Sequence, residues 1–159
     1  MNRRLMPRPL LYGLHCLVYC LALTACETEK IQQTKLGIQQ NLFLQSLELV
    51  ESAGTLLQKP GLEAAEIEAA MLQMDQGLKQ AFQVDSVFLK RLDPRLPKLY
   101  TTTFISGVEN YRIGVEASDR SKQLEGLDLL RQWSLFWQEE KPAILGKMAK
   151  LTGLPTGPS

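Results

Sequence analysis

From Thr28 onward this 159-residue chain repeats its apolar residues at helical spacing and nowhere at strand spacing, and that pattern decides what it can fold into. From Thr28 to Leu57, Ile31, Ile38, Leu42, Leu49, Ala53 and Leu56 follow one another at steps of 7, 4, 7, 4 and 3, and Leu36, Phe43, Leu47, Val50 and Leu57 widen the stripe. Steps of three, four and seven line one face of an α-helix, whereas a strand alternates at every second residue. Lys59-Pro60-Gly61 ends the run, because proline resists continuing a helix and glycine permits the turn. A second helix carries Ile67, Met71, Met74, Leu78 and Phe82 and runs on through Phe88 and Leu92, with Asp85 interrupting its stripe. Asp93-Pro94-Arg95-Leu96-Pro97 is the next break, since the residue before each proline is pushed out of the α region. A third helix starts near Lys98 and presents Phe104, Val108, Tyr111 and Val115. A fourth presents Leu127, Leu130, Ser134, Trp137, Lys141, Ile144, Met148 and Leu151, and Pro142 is expected to kink or restart it.

The joint between the last two helices is read at Ser118 to Ser121, with Glu125-Gly126 or one long kinked helix as the other readings. The pattern predicts an all-α fold, an antiparallel up-and-down four-helix bundle over residues 26–151, followed by a flexible tail over 152–159.

The first 25 residues have a different character. Asn2, Arg3, Arg4 and Arg8 lie in a short basic start, and Leu10 to Ala25 is a mostly apolar run, short for a membrane span of about 20 residues and ending in small residues. A secretory signal fits this layout. Leu23-Thr24-Ala25-Cys26 then resembles the lipobox of bacterial lipoproteins, an aliphatic residue and two small ones before a cysteine. Cys16 and Cys20 follow His15 and Tyr19, so only Cys26 has the required neighbours. The resemblance implies that residues 1–25 are removed and that Cys26 becomes a first residue carrying diacylglycerol and a further acyl chain such as palmitate. An ordinary signal peptide or an uncleaved anchor is the competing reading. Two or three acyl chains hold a protein firmly on a bilayer where one does so only marginally. Glu27 follows the cysteine where aspartate would favour the inner membrane, so in a Gram-negative source the resemblance implies the outer membrane, facing the periplasm.

Removal of residues 1–25 leaves 15 Lys and Arg against 17 Asp and Glu, a balance that gives no electrostatic reason to expect nucleic acid. The only histidine is His15 and no cysteine follows Cys26, which excludes zinc fingers, haem attachment, disulfide scaffolds and histidine-based triads from the mature chain. No Glu-x-x-His pair, phosphate loop or Gly-x-Ser-x-Gly elbow is present, so no catalytic residue, cofactor or metal ligand is singled out.

Several features stand out as contact surfaces. Gly107 and Gly114 lie seven apart, with Ser121 seven further on, and each mid-helix glycine costs roughly 1 kcal/mol relative to alanine. Close approach of a neighbouring helix is the structural explanation and a groove for a partner helix or ligand the functional one. Glu109, Arg112, Glu116 and Arg120 stack as a charge ladder, usually solvated, although Arg112 beside Tyr111 is placed to turn inward as an anion or partner anchor. Trp133 and Trp137 share a face near Arg131, as core or as an aromatic contact surface. Lys90, Arg91, Arg95 and Lys98 gather around Pro94 and Pro97 on the side to which the chain returns towards its membrane, where a solvated loop is the simpler reading and anionic head groups the alternative. Glu63, Glu66 and Glu68 suit the dipole at the start of the second helix. Together these features lead to a noncatalytic, lipid-anchored envelope protein that assists another envelope component. The second reading is a sensory or carrier bundle with a ligand between the third and fourth helices, at Tyr111, Arg112, Arg131, Trp133 and Trp137.

Overall fold

The computed structural model describes residues 10–153, with side chains from residue 33 onward. The side chains that carry the signal-peptide and lipobox readings, Cys26 included, and residues 154–159 of the expected tail lie outside the described residues. All regular structure among the described residues is helical. In chain order it comprises α1 (Leu10–Leu57), α2 (Ala64–Ala81), α3 (Ser86–Leu92), α4 (Leu96–Leu99), a π-helical turn (Tyr100–Ile105), α5 (Ser106–Glu116) and α6 (Arg120–Thr152). Helix α1 thus starts upstream of the Thr28 boundary read from its stripe, and no proline interrupts residues 10–57. The chain divides between Lys35 and Leu36 into two compact units.

The core of the second unit, from Leu36 onward, is continuous. Phe43, Leu47, Val50 and Ala53 of α1 pack with Met74 and Leu78 of α2, Phe88 and Leu92 of α3, Tyr100, Phe104 and Val108, and with Trp133, Ile144 and Met148 of α6. In α1 the buried line therefore runs through Phe43, Leu47 and Val50, the residues read as widening the stripe, and Ile38 is exposed. In α2 the face turns likewise. Ala70, Met74, Gly77, Leu78 and Ala81 are buried whereas Ile67 and Phe82 are exposed, because Gly77 lets Val50 and the Ser46 carbonyl approach closer than a side chain would allow.

Cross-links fix how the elements run. Gln39 Oε1 accepts from Asp85 N, and its Nε2 donates to the Gln83 carbonyl. Ser46 and Tyr100 share a buried hydrogen bond of 2.6 Å between their hydroxyls, and Ser46 also donates to the Phe43 carbonyl. Burial pushes the Tyr100 hydroxyl well above the usual tyrosine range, with the Ser46 bond acting the other way. Thr152 Oγ1 reaches both Gln40 Oε1 and the Met148 carbonyl, which share its one proton. Thr152, read from sequence as the first tail residue, is thus a buried member of α6, which is capped by Gly153 in the left-handed conformation.

The second predicted helix is two helices. Helix α2 ends at Ala81 and Asp85 caps α3, its carboxylate accepting from Val87 N at 2.7 Å, so the residue read as an interruption lies at a true boundary. The turn after α5 falls at Ala117–Asp119, where Ser118 has a positive φ of 54° and Asp119 caps α6 through Lys122 N. This matches the favoured Ser118–Ser121 joint, and it removes Ser121 and Arg120 from the helix that carries the glycines and the charge ladder. Helix α6 continues through Pro142, which lies exposed, and does not restart there.

The apolar stripe gives no sign of the π-helical turn. Thr101, Thr102 and Thr103 each donate a hydroxyl to the carbonyl four residues back, at Pro97, Lys98 and Leu99, and Ser106 donates to the Thr101 carbonyl. Such back-bonding loosens regular helical hydrogen bonding and accompanies the wider turn.

Between α3 and α4, Asp93 is buried and accepts from Arg95 N at 2.7 Å and from the Arg95 guanidinium at 3.1 Å, while Arg95 also pairs with Glu140 of α6. The Arg95 side chain lowers the Asp93 pKa most, against the raising effect of burial. A depressed native pKa contributes stability above the ordinary carboxylate range that is lost as pH falls through the native value. Asp93→Asn is therefore expected to be less stable than the parent at neutral pH and to show a shallower loss of melting temperature between about pH 5 and pH 2. Parallel acid limbs in the two titrations would remove Asp93 from this role.

Candidate functional site

Helices α5 and α6 meet backbone to backbone. A Cβ on Gly107 would lie 2.9 Å from Leu130 Cγ and 3.2 Å from the Gly126 carbonyl, and one on Gly114 would lie 2.6 Å from Gln123 N. Gly126, which the sequence marks only as a possible joint, fits most tightly, with the Gly107 carbonyl 2.7 Å and Tyr111 Cα 2.8 Å from its absent Cβ. The Gln123 side chain adds a 3.0 Å hydrogen bond to the Gly114 carbonyl. Gly107 and Gly114 thus serve close approach within the fold.

Open space lies beside that seam, lined by Phe104 and Tyr111 of the third predicted helix as well as by α1 and α6. A groove of about 680 Å³ runs between residues 47–58, the end of α1 and the residue after it, and residues 127–141 of α6. Leu47, Val50, Met74, Phe104, Tyr111 and Trp133 give it an apolar lining, and Glu51, Thr55 and Gln58 on one rim face Arg131, Gln138 and Lys141 on the other. Over these spans a helix rises about 16 Å and about 21 Å. The groove is thus lined along several turns of both helices.

Of the residues singled out from sequence, Tyr111, Arg131, Trp133 and Trp137 line this groove. Trp133 is also a core residue, only 6% exposed, with Tyr100, Phe104, Phe136 and Trp137 at ring-centroid distances of 5.3–5.9 Å. Trp137 is half-buried, meets Phe43 edge-on at 5.6 Å, and has Lys141 Nζ 5.9 Å from its ring. Arg131 is held by Asp128 at 2.9 Å, and this hydrogen bond, with one from Gln132, lowers the Asp128 pKa.

Arg112 is not part of the groove lining. It is half-buried and turned towards α2, with Nε 3.2 Å from Asp75 Oδ1 in an ion pair that lacks hydrogen-bond alignment, and with Glu116 on its other side. Its inward turn joins α5 to α2, and only Arg112 and Glu116 of the predicted ladder pair with each other.

Gly54 is the groove residue that residue type and spacing do not reveal. It lies in the last turns of α1 and lines the groove, yet a Cβ there would meet no heavy atom within 4 Å. The signal that distinguishes it from Gly107 is spatial and absent from a stripe.

Among the described residues no helix is long and apolar enough to cross a membrane, and no group of three or more acidic, histidine or cysteine side chains is placed to hold a metal ion. Comparison of the chain with protein-family models, with curated proteins and with solved structures gives no match.

Proposed function

We propose that the chain is a noncatalytic, lipid-anchored protein of the bacterial envelope, tethered at Cys26 and facing the periplasm from the outer membrane in a Gram-negative source. Its helical body receives an amphipathic helix of another envelope protein in the groove between α1 and α6. We read that body as an antiparallel up-and-down bundle of α1, α2, the 96–116 segment and α6, with α3 inserted in the second connection. Support comes from Gln39 against Gln83, Ser46 against Tyr100, Asp75 against Arg112 and Gln40 against Thr152.

Gly54 is the observation that carries the docking reading. A glycine inside a helix costs about 1 kcal/mol relative to alanine, and at Gly107, Gly114 and Gly126 close packing offsets that cost. Gly54 has no such neighbour; Gly146 of α6 is equally open, but of the two only Gly54 lines the groove, which favours a use for its bare backbone outside the folded chain. An apolar floor between rims of unlike charge, Glu51 on one and Lys141 on the other, suits a helix with an apolar face and charged flanks.

Gly54→Ala is expected to raise stability by about 0.5–1 kcal/mol, and Gly54→Leu to leave the fold intact while filling the groove. A photo-crosslinking residue at Thr55 or Gln138, both exposed on the rims, should in intact cells give an adduct that maps to an amphipathic segment and that Gly54→Leu abolishes. An adduct insensitive to Gly54→Leu would refute groove docking. The intact mass of the cell-derived chain tests the anchor, since loss of residues 1–25 and gain of diacylglyceryl and acyl mass is the expected result.

The groove volume also falls within the range of small-molecule pockets. In the second reading it carries an apolar ligand, which native mass spectrometry of the purified chain would show as an added mass lost in Gly54→Leu.

A further inference from the structure

One end of the second unit combines cations without ion-pair partners and exposed apolar side chains. The Gln39 contacts, the Gln40–Thr152 hydrogen bond and the bond from Lys147 Nζ to the Leu92 carbonyl bring together the start of this unit at Leu36, the α2–α3 turn, the 92–98 segment and the end of α6. Phe82 and Val87, on either side of the α2–α3 turn, are 61% and 57% exposed, and Ile38 is 52% exposed. Large apolar side chains left exposed at one end of a helical body suit a contact surface.

The charges sort in the same direction. Lys90, Arg91 and Lys98 are exposed and form no ion pair among the described residues. The fourth cation of the sequence cluster, Arg95, is taken by Asp93 and Glu140, and its guanidinium stands 5.4 Å over Phe136. Of the other acids near this end, Asp85 is occupied in capping α3 and Glu139 stays exposed. Lys79 and Lys150 add to the excess. The opposite end is mixed, with Glu63, Glu66 and Glu68 at the start of α2 and Glu116, Asp119 and Glu125 around the α5–α6 turn set among Lys59, Arg120 and Lys122, so it lacks the basic excess of the first end.

We propose that the end of the helical body presenting Phe82, Val87, Lys90, Arg91 and Lys98 docks on an anionic phospholipid surface. The orientation rests on the lipid-anchored reading of Cys26. Leu36 is the tenth residue after Cys26, so the tether spans at most about 35 Å even when fully extended, and the chain enters the second unit at its basic end. Each cation near an anionic bilayer surface contributes about 1 kcal/mol, and an aromatic side chain at the interface adds apolar burial. The far end, where both signs of charge are mixed, has no comparable attraction to that surface, so the body stands with the α5–α6 turn pointing away from the lipid.

The test uses the full chain with Cys26→Ser, which removes the acylation site, mixed with vesicles of phosphatidylcholine alone or of phosphatidylcholine with phosphatidylglycerol. Lys90→Glu, Arg91→Glu and Lys98→Glu introduced together are expected to lower partition into the anionic vesicles by about 100-fold and leave partition into the neutral ones unchanged. Residues 1–25 are common to both proteins and cancel in the comparison. If circular dichroism shows that the triple variant has lost its fold, Lys90→Gln with Lys98→Gln repeats the test, with an expected loss of about tenfold or more. Equal partition of parent and variant, or capture of an acidic protein by these cations with no effect on vesicles, overturns the proposal. Lipidation is read separately from the intact mass of the chain with Cys26 present. A missing lipid mass defeats the anchor and leaves the vesicle result standing, and an unchanged partition defeats the docking surface alone.

Discussion

Gly126→Leu is expected to destabilise the helical body by at least about 3 kcal/mol, and Gly126→Ala by about 1–3 kcal/mol. Both replacements improve local helix propensity, by up to about 1 kcal/mol, so any loss isolates the collision across the α5–α6 seam. The atoms in the way belong to the backbone, the Gly107 carbonyl and Tyr111, and no rotamer change relieves them. The helices would have to separate along their length, pulling Leu130 and Trp133 from their places. Urea unfolding of the three proteins measures the effect, and a Gly126→Ala midpoint at or above that of the parent would show that the seam has room for a methyl group. Gly54→Ala is the internal control, since the same chemical change there is expected to stabilise.

Trp133→Ala is expected to cost about 3–5 kcal/mol, a large part of the 5–15 kcal/mol typical of a domain. Trp133 touches four other aromatic rings, and Tyr100 in the same cluster carries the hydroxyl that reaches Ser46. Truncation would leave an aromatic-sized cavity at the floor of the groove. The melting temperature should fall by roughly 10–20 °C, and near-UV circular dichroism should lose most of its aromatic signal. Trp137→Ala, at the half-buried edge, should cost less. A drop of only a few degrees for Trp133→Ala would place that indole in a contact surface, with no essential part in the core. Because Trp133 serves both core and groove, loss of binding in this variant would say nothing about docking, and Gly54 is the better handle.

The all-helical class and most breaks are legible in the sequence, because Pro60, Gly61, Pro94 and Pro97 act locally. The direction each stripe faces is less so. Ile38, Ile67, Leu127 and Phe82 extend apolar lines that are helical in period, yet they lie exposed, since a period defines a set of faces and packing chooses among them. Asp85 illustrates the same limit, as an acid within an apolar stripe reads as a blemish until its carboxylate is seen to cap α3. Tyr111, Arg131, Trp133 and Trp137 are recognisable from residue type, which favours such side chains in contacts. Arg112 joins them in sequence by adjacency to Tyr111, but neighbours in sequence point about 100° apart on a helix, and Arg112 turns to α2. Gly54 cannot be told from Gly107 without knowing what stands opposite.

The wide turn at Tyr100–Ile105 carries a geometric consequence. An added residue in one turn advances everything after it by about 100° around the axis. At the start of that step the rod aims Tyr100 at α1, and downstream it aims Gly107 and Gly114 at α6. The three threonines act as a phase shifter, allowing one unbroken rod to satisfy two neighbours whose bearings a uniform helix would not match. Deleting one of them would set the glycines to face the wrong wall.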